Sequence, residues 1–159
     1  MEFLTLLFLF SITLHNLEEA LWLPKWSEHA GRFQKRVEPN EFRFAIIVIT
    51  LFAYLTVFFY YVFNNTITTI ILVGFLGAMV FNAIFPHLLA TIVLKQYAPG
   101  VLTGVLLNIP INSYIIYRFI EENLITLFGA ICATILIGII LLSFIPVLFK
   151  IGSRIMPTN

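Results

Sequence analysis

Apolar residues in this chain fall in five long runs separated by short polar stretches. The runs cover about residues 3–23, 44–63, 67–94, 101–120 and 124–149. At 1.5 Å rise per residue, each can cross roughly 30 Å of hydrocarbon. The pattern predicts an all-α membrane protein, a five-transmembrane-helix bundle forming a single domain over 1–159. Connections after the second, third and fourth runs are only a few residues, so consecutive helices are expected to be antiparallel neighbours. Phe3 to Leu14 has the length of a signal-peptide core. No basic residue precedes it, however, and no small-x-small cleavage site follows before Glu18, so it reads as a retained helix.

Composition strengthens this picture. The chain is 60% hydrophobic and 11% charged, against about 25% charged in soluble domains. The one long connection, 24–43, is the basic loop and carries Lys25, Arg32, Lys35, Arg36 and Arg43. Placing it in the cytoplasm also puts Lys95, Lys150 and Arg154 there and leaves only Arg118 outside. The positive-inside rule then gives an external N-terminus and a cytoplasmic C-terminus. Trp22 and Trp26 suit an aromatic belt at that boundary. The basic loop reads first as a topology determinant near anionic headgroups, and more sharply as an amphipathic segment gating a cytoplasmic opening. Asn64-Asn65-Thr66 reads as a polar turn, and Cys132, the one cysteine, as a small packing residue. A net charge of +1 gives no reason to expect nucleic acid; the expected partners are membrane lipids and an apolar small molecule.

Polar residues inside the runs carry the chemistry. A charged side chain at the centre of a membrane helix costs at least about 2.5–3.5 kcal/mol, yet His15, Glu18 and Glu19 stand close together in the first run. Residues three and four apart share a helix face, so His15 can face both glutamates. With the predicted topology, His15, His87 and Asn108 each lie roughly 11–12 Å from the cytoplasmic end of a different helix. Glu18 and Glu19 are expected just below that layer, and Asn82 and Asn112 above it. Pro86 and Pro110 mark the same region with unpaired backbone carbonyls, and Asn82, four residues before Pro86, is placed to satisfy one. Tyr97-Ala98-Pro99-Gly100 reads as a tight turn, with Thr103 just inside the fourth helix. Helices one, three and four are thus expected to meet around a polar pocket walled by helices two and five.

Two histidines and a carboxylate suit zinc or non-haem iron. The candidate ligands of such a divalent metal ion are His15, Glu18, Glu19 and His87. Glu18 and Glu19 are the candidate catalytic residues, one of them free to act as general base, with Asn82, Asn108, Asn112 and Thr103 as polar support. His29 could add a ligand from the basic loop. The leading expectation is a metal-dependent membrane enzyme, a hydrolase on a lipid or other apolar substrate. The alternatives are a metal-free acid/base isomerase or cyclase acting on a lipid, and a lipid-binding or carrier protein whose Glu pair handles protons. The bland reading places Glu18 and Glu19 in the interface, paired with Lys25 or Arg32.

His15-Asn16-Leu17-Glu18-Glu19 near the end of a first membrane helix resembles the HXXEE-motif family of small bacterial integral membrane proteins. The likeness extends through the Asn82 to His87 segment and Tyr97-x-Pro99-Gly100-x-x-Thr103 to Pro110. The resemblance implies that His15, Glu18, Glu19 and His87 form one site, and that the chain belongs in a bacterial inner membrane.

Overall fold

The computed structural model describes residues 2–31 and 35–156. Five helices follow one another: α1 (Glu2–Ser27), α2 (Pro39–Phe63), α3 (Thr66–Leu94), α4 (101–121) and α5 (Leu127–Ile155). Four of them, α1, α2, α3 and α5, are each long and apolar enough to cross a membrane. The fourth is broken into short pieces, described below. Apolar runs of this length, with their side chains turned outward, mark a membrane protein.

The first and last runs and the basic loop differ from expectation. Pro24 lies inside α1, and α2 begins at Pro39, where a missing amide hydrogen costs a helix nothing. The basic connection therefore shrinks from 24–43 to 28–38, with Lys25 in the last turn of α1 and Arg43 inside α2. Ser27 closes it: its hydroxyl donates to the Pro24 carbonyl and accepts the Val37 amide at 3.1 Å. Arg32 lies outside the described residues. The last helix continues to Ile155 rather than ending near 149. At the opposite end of the bundle, Asn65 caps α3 by accepting the Thr68 amide, and Asn64 ends α2 in a left-handed conformation. That polar stretch is the expected turn.

Periodicity on α1 shows how the bundle is filled. Phe3, Leu6, Phe10, Leu17 and Leu21 point outward, while Thr5, Phe8, Ile12, His15 and Glu19 point inward, the three-and-four spacing of one buried face. The inward residues meet α3 and α4: Phe8 packs edge-on against Phe75 at 6.0 Å, within a core that includes Ile12, Leu72, Ile115 and Phe119. The broadest helix pair is α3 with α5. Its backbones come close because Gly74 and Gly77 face Ala133, Thr134 and Ile137, the small-residue packing that replaces hydrophobic drive between helices in lipid. Cys132 does not pack inside; it is exposed.

The third and fourth helices both loosen at one level. In α3 the segment Ala83–Leu88 is π-helical, and Phe85 turns extended (φ −131°, ψ 112°) before Pro86, which has no amide hydrogen to give. In α4 the segment Gly104–Asn108 is π-helical. The two loosened segments pack on each other, and the second also packs on α1. Such segments gather at functional sites.

A Cβ added at Gly77 would stand 1.9 Å from Thr134 Oγ1 and 2.8 Å from Thr134 Cβ, whereas one at Gly138 would meet only Ala78 at 4.0 Å. Gly77→Ala is therefore expected to destabilise the fold by about 1–3 kcal/mol, and Gly138→Ala to change it by less than about 0.5 kcal/mol. Thermal unfolding in detergent checks this; equal midpoints for the two variants would remove the α3–α5 approach as a constraint.

Candidate metal centre

The polar residues of the His15–Glu19 stretch divide among three neighbours. Asn16 faces α2 and donates to the Thr50 hydroxyl at 2.7 Å. Glu18 faces the connection between α3 and α4. His15 and Glu19, one turn apart, face His87.

Glu18 is surrounded by donors. The Gly100 amide donates to its Oε1 at 2.6 Å, and the Tyr97 hydroxyl donates to the same oxygen. Its Oε2 receives the Thr103 amide at 3.0 Å and the Thr103 hydroxyl at 2.5 Å. Both oxygens thus have two donors, which suits a carboxylate, an acceptor at every lone pair. Tyr97-Ala98-Pro99-Gly100 becomes a strap tied to α1 rather than a bare turn. Burial, and then the bond to Glu18, hold the Tyr97 phenol pKa up at about 12, so it remains a donor throughout the physiological range. Gly100 has φ +92°, and a Cβ there would lie 2.9 Å from His87 and 3.0 Å from His15. The strap backbone therefore rests directly on both imidazoles.

Under the strap lie His15, Glu19 and His87, each at most 6% exposed. One ligand atom from each can be chosen so that all lie within 4.8 Å of one another. Glu19 Oε1 is 2.6 Å from His87 Nε2 and 3.4 Å from His15 Nε2, and the two rings meet edge to face at 5.3 Å. Asn82 Nδ2 is 3.2 Å from both Nε2 atoms.

The wiring sets the tautomers. Thr103 spends its hydroxyl proton on Glu18, so its oxygen must accept from His15 Nδ1, 3.1 Å away. The His87 ring bonds the Pro99 backbone, which offers only a carbonyl, so the ring nitrogen facing it carries the proton. In the neutral rings both Nε2 atoms then present lone pairs. The Asn82 amide can serve both, but Glu19 Oε1 adds a third acceptor with no proton facing it. Three lone-pair atoms converging in a buried space call for a cation among them, either a proton or a metal ion. A histidine whose other nitrogen is held by a carbonyl or hydroxyl is the usual outer-shell arrangement of a metal ligand.

The remaining candidates fall in different places. Asn108 accepts a hydrogen bond from Ser11, one turn before His15 on α1, and so borders the cluster without joining it. Asn112 lies further along α4, fully buried, and among the described residues neither of its amide atoms has a hydrogen-bond partner. Asn82 is in the histidine layer, not above it, and its side chain serves the rings rather than the backbone freed by Pro86. The reason is the break at Phe85, whose non-helical backbone redirects the chain so that Asn82 and His87, five residues apart, meet. His29 is exposed and apart from the cluster. Glu18 and Glu19 are both buried and bound within the bundle, so neither pairs with Lys25 in the interface. Spacing alone did not reveal Tyr97, Gly100 or Ser11 as participants. The available signals were the Tyr97-to-Thr103 pattern and the position of Ser11 four residues before His15.

The Glu18 tie predicts a pair of contrasts. Glu18→Gln turns an amide donor towards two donors, and Thr103→Val removes the bridge between Glu18 and His15. Each is expected to cost about 1–3 kcal/mol and to speed amide hydrogen exchange across 97–103, while Thr103→Ser keeps the wild-type rates. Unchanged exchange in Glu18→Gln would show that the strap is held by something else.

A relative from Bacillus subtilis (strain 168), the uncharacterized protein YrkK, is 55% identical over 158 residues, covering 99% of this chain and 100% of its own length. No solved structure matches the chain. The family described as "Protein of unknown function with HXXEE motif" matches residues 6–115, which contain the whole His15–Glu19–His87 cluster and its strap. By that match, over more than half of its length, the chain belongs to the HXXEE-motif family.

Proposed function

We propose that the protein is a metal-dependent enzyme of a bacterial cell membrane, acting on an apolar substrate, with its site in the cytoplasmic half of the bundle. The observation that carries this reading is the convergence of three acceptor atoms, His15 Nε2, His87 Nε2 and Glu19 Oε1, beneath a strap that occupies the far side of both rings. Two imidazoles and one carboxylate are the donor set of catalytic zinc and non-haem iron sites, which keep a further position open. The 3.4 Å spacing of His15 and Glu19 fits two ligands on one ion at about 2.0–2.2 Å each. A divalent ion there would supply Lewis acidity towards an ester or similar group, favouring hydrolysis. The second oxygen of Glu19 would be available as a base for the proton of an attacking water. Glu18, engaged by four donors, acts as a positioning residue that fixes the strap and, through Thr103, the His15 ring. The grouping of seven basic residues, Lys25, Lys35, Arg36, Arg43, Lys95, Lys150 and Arg154, at one end of the described bundle supports the cytoplasmic assignment of that end, and the Bacillus relative supports a bacterial membrane.

A second reading rests on the 2.6 Å contact of His87 with Glu19, closer than two ligands of one ion usually stand. A proton shared there would make the pair an acid/base couple for isomerisation or cyclisation of a lipid.

Elemental analysis of protein purified without a histidine tag separates the two. The metal reading expects close to one zinc or iron per chain, lost by at least about tenfold in His15→Ala, His87→Ala and Glu19→Gln, and retained in His29→Ala. All four variants should keep a cooperative unfolding transition in detergent. Gly100→Ala, which drives a methyl group into both rings, is expected to lose metal as well. A metal-free wild type after incubation with zinc or iron would overturn the metal reading in favour of the proton couple.

A further inference from the structure

The strap has a second face. On the side away from the imidazoles it walls a groove of about 570 Å³ at the end of α1, within the range of about 300–1,000 Å³ typical of small-molecule sites. Two strap residues line the groove and also touch the buried cluster. Tyr97 donates from its hydroxyl to Glu18, and the Pro99 carbonyl holds the His87 ring. The groove and the candidate metal centre are thus separated only by this strap.

The groove is amphipathic along its length. Leu21, Trp22 and Leu102 form its apolar wall, with all three side chains more than half exposed. Lys25 and His29 stand at its polar end. Among the described residues no carboxylate pairs with Lys25, since Glu28, close by in the chain, is engaged by Arg36 at 3.5 Å. An unpaired lysine beside an open apolar channel, at the basic end of a membrane bundle, has the charge to hold an anion and the surface to hold a hydrocarbon chain. A second cavity, of about 330 Å³ between α2, α3 and α5, is lined by Phe59, Ile71 and Ile140 with no charged side chain, and suits hydrocarbon.

We infer that this groove is the substrate-binding site of the protein, and that its occupant is a single-chain amphiphile with an anionic head group. The chain lies along Trp22 and Leu102, the head group lies against Lys25, and the Tyr97–Gly100 strap is the wall that must yield for the substrate to reach His15, Glu19 and His87. This names the substrate class of the site proposed above and rests on that reading for its catalytic meaning, while the binding itself does not require the metal.

The two tryptophans of the chain, Trp22 and Trp26, both line the groove, so their emission reports its occupancy. Protein in neutral maltoside micelles is titrated with dibrominated stearate, and separately with the brominated alcohol of the same length. The expected result is saturable quenching with an apparent affinity about fivefold higher for the carboxylate, falling to that of the alcohol in Lys25→Gln. Lys25 is exposed, so this variant is expected to fold. The same titration on His15→Ala should be unchanged, while metal content in Lys25→Gln should match wild type; the groove and the metal centre can therefore fail independently. Equal affinities for the two probes, or a preference that survives Lys25→Gln, would overturn the proposal and leave ordinary partitioning. Equally tight binding of a brominated diacyl phosphatidylglycerol would overturn the single-chain assignment in favour of a bilayer lipid.

Discussion

A carboxylate inside a membrane protein must find donors for both oxygens, and Glu18 finds four. Most of the site follows from that requirement. To deliver two backbone amides and two hydroxyls to one side chain of α1, the connection between α3 and α4 has to fold down onto the helix. Once there, its Thr103 oxygen and Pro99 carbonyl occupy the outer nitrogens of the two histidines. The inner nitrogens are then left to face Glu19. Two adjacent glutamates thus have unlike duties: one is saturated by protein donors and builds the frame, and the other faces acceptors and is left needing a cation.

The remainder of the bundle isolates this frame on one side. Beyond the cluster, towards the other end, the interior is filled by Phe8, Ile12, Leu72, Phe75, Ile115 and Phe119. Towards the basic end the cluster is covered by the strap, beside a smaller apolar cluster of Leu23, Val37, Phe42 and Ile46. Ser11, Asn108 and Asn112 are the polar residues that reach furthest towards the apolar plug. Among the described residues, Asn108 Nδ2 and both amide atoms of Asn112 are buried without a hydrogen-bond partner.

Much of this was legible in the sequence because the bilayer is a strict solvent. Runs of the right length define the helices, and an ionisable residue within a run needs a neighbour to justify it. His15, His87 and Asn108 could be matched in depth from helix ends alone, with Glu18 and Glu19 just below them; of these, the structure brings His15, His87 and Glu19 together and leaves Asn108 at the border. What escaped that reasoning depends on local departures from α-helical geometry. Asn82 and His87 are five apart and would diverge on a regular helix; the break in the helix at Phe85 brings them together. The functions of Tyr97 and Gly100 depend on a connection folding back, which periodicity does not encode. The extent of the basic loop was overestimated because Pro24 and Pro39, which look like helix breakers, sit where a helix end and a helix start tolerate them.

The paired π-helical segments also divide the bundle mechanically. α1 runs unbroken through the level of the site and supplies His15 and Glu19 from a regular helix. Its two partners there, Ala83–Leu88 and Gly104–Asn108, are wound more loosely, while their outer halves are regular and packed on α1 and α5. The molecule therefore combines a stiff half with a compliant one, and the compliance is confined to the turns that carry His87 and abut Thr103. Rotation of those turns would change the distance from His87 to Glu19, while Phe8 and Phe75 pack from the regular parts of α1 and α3. On the proposed reading, adjustment to an ion and yielding of the strap to a substrate would both be separated from the packing that keeps the protein folded.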